Sequence, residues 1–241
     1  MGVPAAGRLD GVAAFGTGFS SSMGHSYTPC VVAGTFVTLE GPEGSGKTVV
    51  ARRLAEELQR LGRRVVLTRE PGGTRLGERV REVLLGRSDL GIDPRADALL
   101  FNAARAQLVA EVIRPALARG EVVLCARFAD STLAYQGHGA GLPIDELREI
   151  ARVATGGLEP DLTILLDVDP EVGIRRKAPG ARNRFESIDL AFHRRVRDGF
   201  LALAREAPAR WRVVDSSRHI DRVFDDALAL VQAEIADPVR A

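Results

Sequence analysis

The sequence predicts an α/β fold built on a five-stranded parallel sheet with helices on both faces. Five short apolar runs alternate with stretches of helical period, the pattern of strands buried between two helical layers. The first run ends in a glycine-rich turn that opens directly into a helical stretch. After residue 35 no Pro/Ser linker and no internal repeat interrupts the alternation, so residues 35–241 read as one domain.

"TFVTLE" (35–40) is the first strand, and the helical stretch from Lys47 to about Leu61 stops at Gly62, a glycine placed as a C′ residue. "RRVVLTR" (63–69) is the second strand, and "EPGGT" (70–74) carries the Pro and paired Gly of a loop. A short helix spans Leu76 to Leu85. Residues 94–119 form a long helix with Asp93 as N-cap and Pro94 in the first turn, and Pro115 should kink its last turn. Strand 121–126, helix 143–155, strand 162–168, helix 188–206, strand 211–214 and helix 219–235 complete the series.

Composition narrows the function classes. With 33 basic and 32 acidic residues the formal charge is +1, without the basic surplus of a non-specific nucleic-acid binder. Any anion must therefore be met by a local cluster. Cys30 and Cys125 lie far apart and Cys125 sits in an apolar strand, which argues against a disulfide framework. No apolar run approaches the ~18 residues of a membrane span, and the expectation is a cytoplasmic protein. Residues 1–34 are rich in Gly, Ser and Ala without sustained period and lack a signal-peptide pattern. They read as a flexible extension, or as a start placed too early, with Met23 as another candidate.

In open parallel sheets, ligands sit beyond the carboxyl ends of the strands. The first such loop, "GPEGSGKT", fits G-x-x-x-x-G-K-[ST] at every fixed position. Gly41, Pro42, Glu43, Gly44, Ser45 and Gly46 form a loop whose N–H groups can face a phosphate, and the helix that follows adds its positive end. Lys47 would reach the β- and γ-phosphates of ATP and Thr48 would hold Mg²⁺. A chance glycine-rich turn would lack the strand before it and the helix after it. No "NKxD"-type segment is present, which disfavours a GTPase.

The long helix carries Phe101, Arg105, Leu108 and Val112 on one face. An arginine there either lays its stem on the core and snorkels to water, or grips a phosphate or base edge one turn from a ring that stacks a base. Arg127, at the end of the third strand, and Arg69, at the end of the second, point at the same crevice. Three converging arginines favour an anion site. "RRKAPGARNR" (175–184) reads as a solvated basic loop or, beside a phosphate loop, as a lid over a transferring phosphoryl group.

"TREPGGT…GE" (68–78), "LLFNAARAQL" (99–108), "RF…STLAYQG" (127–137), "PDLTILLDVDPEVGIRR" (160–176), "RFE" (184–186) and "FHRRVRDGFLALA" (192–204) together resemble bacterial thymidylate kinase over about residues 35–235. The resemblance implies a P-loop kinase fold with a short basic lid at about 173–186. It implies phosphoryl transfer from ATP to dTMP with Mg²⁺, and a homodimer with no nucleic-acid or membrane partner. By matching position, Phe101 would stack on thymine and Arg105 would contact the base edge. Arg69 and Arg127 would hold the dTMP phosphate, and Pro71 would line the base pocket. Ser131 and Gln136 would contact the base, Tyr135 would lie under the sugar, and Glu43 would approach the 3′-hydroxyl. Arg176, Arg182 and Arg184 are the lid's candidate catalytic arginines, beside Lys47 and Arg127.

Two positions depart from the family pattern. Ala126–Arg127 and Asn183–Arg184 stand where Asp-Arg is usual. Glu43 and Asp167 are the acids that could make up for the first loss. The alternatives to an active dTMP kinase are a kinase of another nucleoside monophosphate, or a weakly active or inactive nucleotide-binding relative because of Ala126.

Overall fold

A computed structural model describes residues 34–86, 90–176, 185 and 188–236. The expected extension, all but Gly34, and the centre of the expected lid, including Arg182, Asn183 and Arg184, lie outside the described residues. Five strands, β1 (Thr35–Glu40), β2 (Val65–Arg69), β3 (Val122–Ala126), β4 (Leu162–Asp167) and β5 (Trp211–Asp215), pair in the order β2-β3-β1-β4-β5. Every pairing is parallel.

The helices are α1 (Lys47–Arg60), α2 (Arg75–Leu85), α3 (Pro94–Leu108), α4 (Arg114–Ala118), α5 (Ala129–Thr132), α6 (Ile144–Thr155), α7 (Pro170–Arg175), α8 (Leu190–Glu206) and α9 (Ile220–Ala236). The period-2 alternation of β1 sorts the two faces. Val37 and Leu39 pack with Leu54 and Leu58 of α1 and Val223, Ala227 and Val231 of α9. Phe36 turns to the other face, against Leu108 of α3, Ile113 and Phe128. Further along that side, Tyr135, Leu165 and Trp211 pack with Phe192 and Phe200 of α8. Each fully buried leucine such as Leu54 contributes about 2 kcal/mol.

The long helix read over 94–119 is not uniform. Asp93 caps it through Arg95 N–H and Pro94 opens it, as the residue types require. A π-helical turn, Val109–Ile113, then widens it before α4. Pro115 has no N–H to return to residue 111, and the wider turn absorbs that missing bond. Pro115 therefore modifies the helix before its last turn.

Two helical segments escape the sequence reading. α5 runs into a π-helical stretch, Leu133–Gly139, which packs against α8. Its two glycines and its Ser/Thr-rich start are poor helix formers, so tertiary packing holds it. α7 has only six residues, although Asp169 caps it and Pro170 opens it.

The strand order places the site. From β1 the chain crosses to β2 on one side of β3, while β4 continues on the other side of β1. Loops leaving the carboxyl ends of β1 and β3 therefore diverge and open a crevice between them.

Candidate active site

A cleft of about 670 Å³ occupies that crevice, within the usual range for a small-molecule site. On the side expected to hold the donor phosphates it is lined by Glu43 to Thr48 of the loop that starts at Gly41. Gly41 (φ 143) and Gly44 (φ 70) adopt backbone conformations that side chains resist. A Cβ on Gly41 would lie 2.4 Å from Leu166 O, and one on Gly44 would lie 1.9 Å from Gly173 O. The first turn of α1 has no side-chain cap, which leaves its N–H groups turned toward the cleft for an anion. Lys47 Nζ donates to Gly41 O (2.9 Å), Pro42 O (2.7 Å) and Ser45 Oγ (3.0 Å). Thr48, also lining the cleft, is exposed.

Beyond the loop, the cleft is edged by Arg176 and by Ser216, Arg218, His219 and Ile220. Arg176 donates to Ser216 O (2.9 Å) and Ser217 O (3.2 Å), which ties the start of the lid segment to the turn after β5. The sequence reading missed the residues after β5, because no motif marks them.

The side expected to hold the acceptor brings together Arg69, Pro71, Phe101, Arg105, Arg127, Ser131, Tyr135 and Gln136 in the same cleft. Arg127 is the hub. Its Nη2 donates to Glu43 Oε1 (2.6 Å) and Tyr135 Oη (2.9 Å), and its Nη1 donates to Gly41 O and Ser131 Oγ, both at 3.1 Å. Tyr135 Oη donates to Glu43 Oε1 at 3.0 Å. Burial opposes the Arg127 charge, but Tyr135, Glu43 and Glu40 outweigh it and hold the guanidinium above its ordinary pKa. Burial likewise pushes the Tyr135 hydroxyl well up. It stays protonated and donates.

Arg105 does not snorkel to water. It is 1% exposed and pairs with Glu70, 4% exposed, at 2.7 Å. Its remaining donors reach Asn102 Oδ1 (2.6 Å), Phe128 O (3.1 Å) and Thr132 Oγ1 (3.1 Å). Burial raises the Glu70 carboxyl, and the Arg105 charge and hydrogen bonds oppose that rise. The guanidinium that spacing aimed at a ligand is thus largely committed to protein, with its edge on the cleft. Phe101 stands near Phe185 at 6.0 Å between ring centroids. Gln136 is buried against the cleft, and its amide makes no hydrogen bond among the described residues. Arg69 pairs with Glu78 at 3.1 Å and is half exposed.

Ala126 lies at the cleft wall, 9% exposed, in register with Leu39 and Arg69. Neither acid named as its substitute is uncommitted. Asp167 is held in a two-bond pair by Arg197 of α8 (2.7 and 2.8 Å), and Glu43 is held by Arg127 and Tyr135. Another buried acid close to the residues after this strand is one the sequence reading passed over. Glu40, 0% exposed, accepts from Phe128 N–H (2.7 Å) and from Ser131 Oγ (2.6 Å). It had read as the end of an apolar run. Arg81 on α2 was also missed. It lines the cleft and donates to Pro71 O at 2.8 Å, and among the described residues it has no carboxylate partner. Burial lowers its pKa, and the charges of Arg69 and Arg127 lower it further against Glu78 and Glu43.

Comparison with known proteins gives one family. The family profile described as thymidylate kinase matches residues 39–227. A thymidylate kinase of Deinococcus radiodurans is 54% identical over 199 residues, covering 82% of this chain and 96% of the relative. One from Thermomicrobium roseum is 54% identical over 198 residues, covering 81% and 93%. A crystal structure of thymidylate kinase from Ehrlichia chaffeensis superposes with a TM-score of 0.70 at 33% identity, covering 83% of this chain and all of that one.

Proposed function

The chain belongs to the thymidylate kinase family, and from that premise we propose that it transfers the γ-phosphoryl group of ATP to dTMP, giving dTDP and ADP. One observation carries the reading beyond family membership: Glu43, inside the donor loop, is bonded to Arg127 at 2.6 Å and Tyr135 at 3.0 Å on the acceptor wall. The donor loop and the acceptor residues therefore face one reaction space.

In this reading the loop amides and the start of α1 take the ATP phosphates, and Lys47 exchanges its carbonyl partners for the β- and γ-phosphate oxygens. Arg127 and Arg69 hold the dTMP phosphate, and one of its oxygens attacks the γ-phosphorus in line. The bond to the β-phosphate oxygen breaks as the new P–O bond forms, and ADP leaves with that oxygen. Arg176, with Arg182 and Arg184 beyond the described residues, spreads charge over the transferring group from the lid. Phe101 and Pro71 border the base, with Gln136 and Ser131 as polar contacts and the Arg105 edge behind them. Tyr135 lies under the sugar and Glu43 accepts from its 3′-hydroxyl.

The described residues hold no cluster of His, Cys, Asp and Glu able to bind a metal, while the exposed Thr48 hydroxyl lies in the cleft. That donor set suits Mg²⁺, which keeps several waters and is bound largely through substrate phosphates. Bound there through Thr48, it would offset charge on the β- and γ-oxygens.

The reading includes a homodimer, supported by exposed Leu76 and Val83 on α2, Leu99 on α3 and Val153 on α6. It includes a cytoplasmic setting, where ATP is at hand and the buried Cys125 remains a thiol. No described helix is long and apolar enough to cross a membrane. Residues 35–241 are taken as the catalytic domain and 1–34 as an extension without catalytic part.

The test is ADP release with ATP and a panel of monophosphates: dTMP, dUMP, dCMP, dGMP and AMP. The highest kcat/KM is expected with dTMP. A higher value with any other acceptor overturns the reading.

A further inference from the structure

Arg127 has an unusual backbone. Among the described residues it is the one non-glycine with positive φ, at 73°, a conformation costly for a long side chain. The kink turns the chain out of β3 and delivers the guanidinium into the cleft, so something must fix the residues on either side of it. On the upstream side, Arg127 N–H donates to Leu39 O at 3.0 Å.

On the downstream side the fixed point is Glu40. One carboxylate oxygen takes Phe128 N–H at 2.7 Å, directly after the kink, and the other takes the Ser131 hydroxyl at 2.6 Å. Ser131 Oγ in turn accepts from Arg127 Nη1 at 3.1 Å. Glu40 thus holds both the backbone after Arg127 and the hydroxyl that orients its head group. Its residue is fully buried and does not line the cleft, so it acts through Arg127.

We propose that Glu40 is a positioning residue for phosphate binding, holding Arg127 in its kinked backbone and steering its guanidinium through Ser131, in the place where a family acid at position 126 is missing. This rests on the kinase reading of the cleft.

The electrostatics give the role a signature. Burial and the Asp130 charge push the Glu40 carboxyl up to about 7, against the Arg127 charge and the bonds from Ser131 and Phe128 N–H. The charged and titratable groups around it are Arg127 and Asp130 after β3, Cys125 within β3, and Arg210 before β5. Arg210 is bonded to both oxygens of Asp130. Near neutral pH the charge facing Arg127 is therefore gained or lost, with the ionised form favoured as pH rises.

Glu40→Gln keeps the volume and an acceptor for Phe128 N–H but removes the charge. Its KM for dTMP should rise roughly tenfold, the size of one charge-assisted contact, with the KM for ATP within about twofold. The wild-type-to-variant ratio of kcat/KM for dTMP should be largest above about pH 8 and fall toward 1 below about pH 6, following the Glu40 charge. The ionisation of dTMP itself is common to both proteins and cancels in the ratio. A ratio independent of pH, or equal rises in both KM values, would overturn the proposal.

Ser131→Ala cuts the link while leaving the buried carboxylate in place, which keeps the test valid if Glu40→Gln does not fold. It should show the same acceptor-only rise in KM, while the inhibition constant of thymidine, which has the base without the phosphate, is unchanged. An unchanged KM for dTMP, or an equal loss with thymidine, would overturn the proposal. The kinase reading is judged separately, by whether the wild-type protein phosphorylates dTMP at all.

Discussion

Along the side of the cleft proposed for the donor, the consecutive residues Glu43 to Thr48 form the wall, and the start of α1 has no side-chain cap. Across from it, the acceptor half is assembled from side chains on β2, α2, α3 and the segment after β3. The two halves are constrained by different physics. The donor loop is held by close approach, since Gly41 and Gly44 have no room for a Cβ. The acceptor wall is held by charge pairing. Three of its arginines each have a glutamate, and the burial of the pair decides what the arginine can do. Arg105–Glu70 is 1% and 4% exposed, Arg127–Glu43 is 17% and 12%, and Arg69–Glu78 is 51% and 44%. A buried pair cannot be parted without stranding a charge. A half-exposed one can exchange its carboxylate for a phosphate. On the proposed function, the gradient runs from scaffold to ligand contact.

The largest effect should come from the scaffold end. Arg105→Ala leaves the Glu70 carboxylate buried and unpaired, which costs about 3–5 kcal/mol of stability. For a chain of this length that is a fall of roughly 6–20 °C in Tm, measurable by calorimetry. In the protein that remains folded, dTMP should bind more weakly while ATP binding holds. A variant with native Tm and only an acceptor defect would break the ordering, because it would make Arg105 a contact residue.

The same contrast explains what the sequence revealed. The donor loop was legible because its chemistry is local: strand, glycine turn, Lys-Thr and helix stand in order from Thr35 to Arg60. The strands were legible as apolar runs, and Asp93 with Pro94 announced the start of α3. Gly62 stops α1 with φ 81, as its position suggested. The pairing of Arg105 with Glu70 joins residues 35 apart, and no spacing rule connects them. Glu40 continued an apolar run and gave no sign that it would face inward to receive Ser131. The kink at Arg127 has no sequence signature either, since positive φ is normally announced by glycine. Local backbone chemistry can be read from sequence, but partners brought together by the sheet cannot.

Ala126 tests the place where the halves meet. A carboxylate introduced by Ala126→Asp would sit in register with Arg69 and beside Arg127, and would be available to orient them or metal-bound water. Losing a supporting group of this kind costs ~10–100-fold. The substitution should therefore raise kcat by about that factor, roughly 1.4–2.7 kcal/mol of barrier, with little change in KM for dTMP. Steady-state rates at saturating Mg²⁺ check this. An unchanged kcat would mean that Glu40, acting through Ser131, already supplies all the positioning that the site uses.

Arg81 should show the smallest effect and the sharpest one. It is part-buried in the cleft wall, and among the described residues it has no carboxylate partner and one side-chain hydrogen bond, to Pro71 O. Burial together with Arg69 and Arg127 disfavours its charge, so an arriving dianion relieves a repulsion as well as making a contact. Arg81→Gln keeps a donor for Pro71 O and removes only the charge. The KM for dTMP should rise roughly tenfold, matching the ~1.5 kcal/mol of one charge-assisted hydrogen bond, and the rise should shrink as salt screens the site. Thymidine has the same base and sugar without the phosphate, so its inhibition constant should not change. If thymidine loses affinity as much as dTMP does, Arg81 shapes the base pocket through Pro71, and the acceptor phosphate is held by Arg69 and Arg127 without it.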